Sequence, residues 1–226
     1  MIVKDDYLYF DNGTQVTFKK TPNHGGLKKA KKYLIIHFDG ANNATSALSW
    51  MLSPKSEVSA ELWIGRDGGM VQLLDFNTTA YHAGKSQWKG IIGLNSYSIG
   101  IELQNNGTQE YTQKQLDVLL EVSLALNKAY NFDDVLGHED IAKGRKVDPG
   151  KLFPMSWLRE KMFNRGSSRL TTSDVNLRKG AGTNFEAIEV IKKGTEVNIL
   201  SEDNGWSEVF ICDTKQKGFI INKYLN

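Results

Sequence analysis

Val135-Leu136-Gly137-His138-Glu139-Asp140-Ile141-Ala142-Lys143-Gly144-Arg145-Lys146-Val147-Asp148-Pro149-Gly150 is the stretch from which the rest of the chain can be read. A short apolar run delivers a histidine, and a loop punctuated by glycine and proline then carries a lysine and an aspartate. Imidazole and carboxylate are ligands for a borderline metal ion such as zinc. A lysine two positions before the aspartate would set a cation beside such an ion. Histidines and aspartates are also common around turns, so this loop needs partners from elsewhere before it makes a site.

Those partners lie upstream. Tyr33-Leu34-Ile35-Ile36-His37 is an unbroken apolar run that ends in a histidine. Continuous runs of this kind suit a strand covered on both faces, and the exit of a buried strand is a rigid mount for a functional group. Tyr97 to Leu103 reads as another strand, with Glu102 between two apolar neighbours. A carboxylate on a buried face needs a partner, and its pKa rises unless that partner is cationic. Ala80-Tyr81-His82-Ala83-Gly84 is a loop with a third histidine. Two histidines at strand ends and Asp148 in the loop form a three-ligand set with an open fourth position, as in catalytic zinc sites. Glu102 would then act as general base on water, and Lys146 would stabilise an oxyanion at the attacked carbonyl. The pieces suit amide hydrolysis, but His37 and His138 are far apart in the chain and only the fold can join them.

The remaining elements follow from pattern. Tyr7–Phe10 and Val16–Phe18 around Asp11-Asn12-Gly13 predict a small hairpin, and Thr21 to Gly26, with His24, a loop. Asn43 to Leu52 predicts a helix stopped by Ser53-Pro54. Val58 to Ile64, the turn Arg66-Asp67-Gly68-Gly69 and Met70 to Leu74 predict a strand pair. Thr112-Gln113-Lys114-Gln115 has the capping-box pattern, and Leu116, Leu119, Leu120 and Leu124 follow at helical spacing to about Tyr130. Met155 to Phe163 closes this part as a helix.

The chain has 226 residues, 40% of them hydrophobic, enough for one medium and one small domain with real cores. A net charge of +2 is too mild to point to nucleic acid. The cluster Lys28-Lys29-Ala30-Lys31-Lys32 reads as a solvated face. One cysteine, Cys212, excludes an internal disulfide and a cysteine metal cluster, and it reads as a strand residue after Val209-Phe210-Ile211. The N-terminus lacks the pattern of a signal peptide, and no apolar run reaches the length of a membrane span. These features predict synthesis in the cytoplasm, which leaves the place of action open. Composition shifts at Asn164 to Arg169, and short strands separated by glycine turns follow, suggesting a small all-β barrel. The predicted organisation is a domain over 1–163, a linker over 164–169 and a β domain over 170–226.

Residues from about Lys32 to Met162 resemble the zinc-dependent N-acetylmuramoyl-L-alanine amidases related to peptidoglycan recognition proteins. The matching pieces are Leu34-Ile35-Ile36-His37, Trp63-Ile64-Gly65-Arg66-Asp67-Gly68, Tyr81-His82-Ala83-Gly84, Ser98-Ile99-Gly100-Ile101-Glu102, Gly137-His138-Glu139-Asp140-Ile141 and Gly144-Arg145-Lys146-Val147-Asp148-Pro149-Gly150, all in the family's order. The resemblance implies an α/β fold with a mixed central sheet flanked by helices. It implies zinc held by His37, His138 and Asp148, with Glu102 and Lys146 in catalysis and His82 and Trp63 placed as substrate contacts. The family cleaves the amide between muramic acid and L-alanine of the stem peptide, so peptidoglycan is the implied partner. Phe38 and Glu61 depart from the residues many members carry, without removing a ligand.

Leu170 to Leu225 is similar to bacterial SH3-like domains, through Val175-Asn176-Leu177-Arg178-Lys179-Gly180, Asn204-Gly205-Trp206 and Lys217-Gly218-Phe219-Ile220. Such domains anchor wall hydrolases, and tethering raises the enzyme's local concentration on a polymer. The expectation is a monomeric wall hydrolase of the phage or prophage endolysin or bacterial autolysin kind, reaching the wall or periplasm by another factor. Two other readings compete: a recognition protein that binds without cutting, which the intact ligand set disfavours, and a zinc peptidase cutting within the stem.

Overall fold

The computed structural model describes residues 1–163, 168–211, 214 and 216–226. Its contacts divide into two compact units, Met1–Leu158 and Arg159–Asn226. The central sheet of the first unit runs in the order Asp134–Gly137, Tyr33–Phe38, Ser98–Leu103, Leu62–Ile64 and Met70–Gln72. The first four strands are parallel, and the last pairs antiparallel with Leu62–Ile64. Leu34, Ile35, Ile36, Ile99 and Ile101 have no exposed surface, which is why these strands read as continuous apolar runs.

Register, more than sequence distance, decides what meets. Glu102 is aligned with His37 on one side and with Trp63 on the other. Aligned residues of parallel neighbours leave the same face of the sheet. Gly137 is aligned with Ile36, so His138 comes level with His37 as the chain leaves its strand. All three groups thus gather at the carboxyl ends of parallel strands, where α/β sheets place their ligands.

Helices Ala44–Met51 and Gln113–Tyr130 form where their spacing predicts. Ala47 and Met51 pack with Trp63, Val71 and Leu73. Thr112 caps the long helix, its hydroxyl accepting from the Gln115 amide at 3.1 Å. The reciprocal half of the capping box does not form. The Gln115 side chain donates instead to the Ile64 and Gln104 carbonyls, at 3.1 and 3.2 Å, tying the helix start to two strand ends.

Several local expectations shift. The N-terminal ladder pairs Ile2–Lys4 with Tyr7–Tyr9 through Asp5 and Asp6, both at positive φ, as a two-residue hairpin turn requires. The turn at Asp11–Gly13 exists, but past it only a single bridge, Tyr9 to Gln15, continues the hairpin. His24–Leu27 is a short strand against Thr78–Ala80, where a loop was predicted. Strand Val58–Ile64 shortens to Leu62–Ile64.

The second unit contains a six-stranded sheet in the order Ser168–Leu170, Glu196–Asp203, Trp206–Ile211, Gln216–Ile221, Val175–Arg178 and Ala187–Ile191, antiparallel throughout. Alternate residues Val175 and Leu177, Val197 and Ile199, and Val209 and Ile211 face one core with Ile191 and Ile220. Asn204 and Gly205, both at positive φ, make the tight hairpin that an Asn-Gly pair favours. Of the predicted linker, residues 164–167 lie outside the described residues, while Ser168 and Arg169 already belong to a strand. The placement of Cys212 likewise lies outside the described residues.

Candidate metal centre

His37 Nδ1, His138 Nδ1 and Asp148 Oδ2 lie 3.0 Å from one another, each pair in turn. All three residues are buried. His37 rides on its strand. His138 opens a four-residue helical turn, His138–Ile141, within the stretch that the sequence pattern reads as a loop. Asp148 is returned to them by the loop itself: the Glu139 amide donates to the Asp148 carbonyl at 2.9 Å, and the Tyr111 hydroxyl donates to the Pro149 carbonyl at 2.9 Å. Gly137 is needed at the approach, since a Cβ there would sit 2.8 Å from Pro149 Cδ.

The donor chemistry fits a divalent metal. His138 Nε2 lies 3.2 Å from the Ala83 carbonyl, which only accepts, so that nitrogen carries the proton and Nδ1 keeps a lone pair. Burial pushes the His37 imidazolium down to a pKa of about 4, so the ring is neutral near pH 7. A neutral imidazole pair and a carboxylate converging on one point repel unless a cation or proton lies among them. Two nitrogens and one oxygen with an open side match a three-ligand zinc site.

Beside the cluster is a cavity of about 610 Å³, lined among others by Asp39, Trp50, Tyr81, Glu102, Lys146 and Asp148. Glu102 is half-buried, and its Oε2 is covered with no hydrogen-bond partner among the described residues. Burial first, then the Asp148 and Asp39 charges, raise its carboxyl well above the usual range, with Lys146 opposing. Such a group is a ready proton acceptor once ionised.

The structure therefore brings His37, His138 and Asp148 together and sets Glu102 and Lys146 on the same cavity. Trp63 and His82, expected as substrate contacts, are both largely covered. Trp63 is only 3% exposed and is not among the residues that line the cavity; its indole N–H donates to Asp39 Oδ2 at 2.8 Å and so holds Asp39, which does line it. His82 does line the cavity, but its ring is fully covered and its Nδ1 lies 3.0 Å from His37 Nε2, so its ring nitrogens are engaged with neighbouring side chains. Burial, followed by the His37 and Lys28 charges, lowers its pKa well below the ordinary histidine value.

The sequence reading also missed a buried ion pair. Lys28, expected on a solvated face, has no exposed side chain and bonds Glu61 Oε1, whose side chain is equally covered. Its neighbours do reach the surface, Lys29 over the Tyr97 ring and Lys31 over Tyr130. The signal that could have found the pair is Glu61 itself, which sits between Ala60 and Leu62 just as Glu102 sits between apolar neighbours.

A mixed sheet with a His–His–Asp cluster at its carboxyl ends defines the chain as an α/β protein with a candidate metal centre. Residues 28–151 match the family described as N-acetylmuramoyl-L-alanine amidase, and residues 173–226 match the bacterial SH3 domain. The first match covers more than half of the chain, and the chain belongs to that family. Over 101 residues it is 43% identical to the 1,6-anhydro-N-acetylmuramyl-L-alanine amidase AmpD of Enterobacter cloacae, covering 44% of this chain and 54% of that protein. The chain spans about half the length of the curated relatives it matches. A crystal structure of a selenomethionine AmpD derivative superposes with a TM-score of 0.62 at 28% identity, over 71% of this chain and 99% of that one. The amidase AmiD from E. coli, solved with anhydro-N-acetylmuramic acid-L-Ala-D-gamma-Glu-L-Lys, superposes at 0.54 and 28% identity, over 71% of this chain and 65% of that one.

Replacing Lys28 by methionine leaves Glu61 charged and buried alone. Breaking a buried pair from one side costs about 3–5 kcal/mol. Urea unfolding should show a loss of that order, and an unchanged midpoint would count against a structural role for the pair.

Proposed function

We propose that this chain hydrolyses the amide between N-acetylmuramic acid and L-alanine in peptidoglycan, with zinc held by His37, His138 and Asp148. The observation that carries the reading is the triangle of ligand atoms, 3.0 Å on each side, next to a cavity that also presents Glu102 and Lys146. Membership of the amidase family and the muramyl peptide bound by the related AmiD support the substrate class.

A zinc ion at this site supplies Lewis acidity to a carbonyl oxygen and acidifies an attacking water. The chain does the rest. Glu102 accepts a proton from the water as its oxygen bonds to the lactyl carbonyl carbon. The same carboxyl then returns that proton to the alanine nitrogen as the C–N bond breaks, releasing an amine and a carboxylic acid. The Lys146 ammonium offsets the negative charge that builds on the carbonyl oxygen. The cavity wall, with Trp50 and Tyr81, gives the sugar and peptide a surface to rest on.

The bacterial SH3 unit supports a wall hydrolase of the endolysin or autolysin kind. A weak wall binder tied to the catalytic unit keeps it on an insoluble polymer, a gain that soluble fragments would not give. Among the described residues no helix is long and apolar enough to cross a membrane.

Mass spectrometry of fragments released from purified peptidoglycan tests the reaction. Stem peptides with a free L-alanine amine should appear, vanish with a zinc chelator and return with added zinc; cuts inside the stem peptide would replace this reading with a peptidase. Glu102→Gln should retain the metal and lose about 10²–10⁴-fold in turnover, and full activity in that variant would remove Glu102 from the chemistry. A chain ending at Phe163 should sediment less with intact walls while still cutting soluble muropeptides. Equal sedimentation would reject the anchor.

A further inference from the structure

The outer nitrogens of the two candidate ligand histidines end on two consecutive residues, one each. His37 Nε2 lies 3.0 Å from His82 Nδ1, and His138 Nε2 lies 3.2 Å from the carbonyl of Ala83. The segment that carries these partners is clamped from behind. Asn95 Oδ1 accepts both its amides, from His82 at 3.1 Å and from Ala83 at 2.7 Å. The Asn95 carbonyl in turn accepts from Lys28 Nζ at 3.2 Å, and Lys28 is paired with Glu61. Glu61 also accepts from the Gly100 amide at 2.7 Å and the Ala80 amide at 3.2 Å. The His82 ring lies directly on Gly100, where a Cβ would come within 2.5 Å of its Cγ.

Ser98 has one hydroxyl proton, and it is committed to the Leu94 carbonyl at 2.6 Å. Toward His82 Nε2, 3.4 Å away, Ser98 can therefore only accept, so that nitrogen bears the His82 proton. The Glu61 carboxylate, 3.9 Å from the same nitrogen, favours the proton there too. His82 Nδ1 is then a lone pair and accepts from His37 Nε2–H. His37 Nδ1 in turn is left as a lone pair facing His138 and Asp148. The Ala83 carbonyl imposes the same tautomer on His138.

We propose that His82 and Ala83, held by Asn95 and the Lys28–Glu61 pair, are a positioning element that sets both ligand histidines as Nε2–H tautomers, with Nδ1 open toward the metal, before an ion arrives. The proposal rests on the reading that His37 and His138 are ligands. It gives a purpose to two features that the reaction itself does not use: a fully covered histidine beside the cavity, and a buried ion pair under the site. Outer partners of this kind fix ring orientation and ligand basicity, and losing one costs about 10–100-fold in metal affinity.

The test is nitrogen NMR of the histidine rings in the metal-free protein, together with zinc affinity by chelator competition. In the wild-type chain His37 and His138 should both be protonated on Nε2; a proton on Nδ1 of either ring overturns the proposal without any variant. His82→Phe keeps a flat ring but offers no acceptor, and should mix the His37 tautomers and weaken zinc about 10–100-fold. His82→Gln restores a carbonyl acceptor and should recover part of that loss. Asn95→Ala should loosen both histidines at once. Unchanged zinc affinity in His82→Phe overturns the proposal while leaving the metal site intact. A wild-type chain with both Nε2 protons but no affinity for zinc would support the positioning element and remove the zinc reading instead.

Discussion

Two imidazole nitrogens and a carboxylate oxygen held 3.0 Å apart are the constraint on which the rest of the first unit depends. Their lone pairs point at one another inside a protein interior, where weak screening makes such repulsion costly. The arrangement persists because each of the three side chains is held from outside the triangle. His37 is fixed by a central strand with apolar cover on both faces, and His138 by the strand beside it. Asp148 is fixed by its own carbonyl on Glu139 and by Tyr111 on the next residue. A divalent cation turns the same repulsion into attraction, and for that reason the geometry suits a metal better than an apolar function.

Around this triangle the unit places buried polar groups that would be liabilities elsewhere. Lys28 and Glu61 lose their hydration together, and the backbone amides of Ala80 and Gly100 complete the coordination of the carboxylate. Pairs of this sort add little net stability against an apolar replacement, but they restrict which arrangements are tolerable. Here the restriction falls on the segment that touches both histidines. Trp63 does the same for Asp39, whose other carboxylate oxygen takes the Ala41 amide at 2.9 Å. The cavity thus has a rigid polar floor, with a more adaptable rim at exposed Lys146 and Tyr81.

The second unit is built on a different economy. Its antiparallel strands alternate inward apolar and outward polar residues around a single small core, and tight turns at Gly194 and Asn204-Gly205 set the spacing. A unit of this construction needs no buried charge network, and no cluster of metal-ligating groups occurs among its described residues. The division of labour between the two units is visible in where the polar burial is concentrated.

Much of this was legible in the order of residues. Continuous apolar runs marked the parallel strands, 3.6-residue spacing marked the two helices, and glycine turns marked the β unit, because each of these signals is local. The candidate ligands were legible as well, since a histidine at the exit of an apolar strand is a residue type in an unusual place. What stayed hidden was decided by register and depth. Nothing in Lys28 distinguishes it from Lys29 or Lys31 until the fold puts its ammonium on Glu61, and nothing in His82 says whether it faces substrate or His37. Trp63, placed by resemblance as a substrate contact, shows its bond to Asp39 only in the fold. The sequence by itself determined the elements, the candidate ligands and the two-part organisation, because propensity and periodicity act over a few residues. Only the tertiary structure decided that His37 and His138 share one point in space, and which polar groups stand behind them, because hydrogen bonds and ion pairs across 33 to 101 positions of chain depend on strand register and burial.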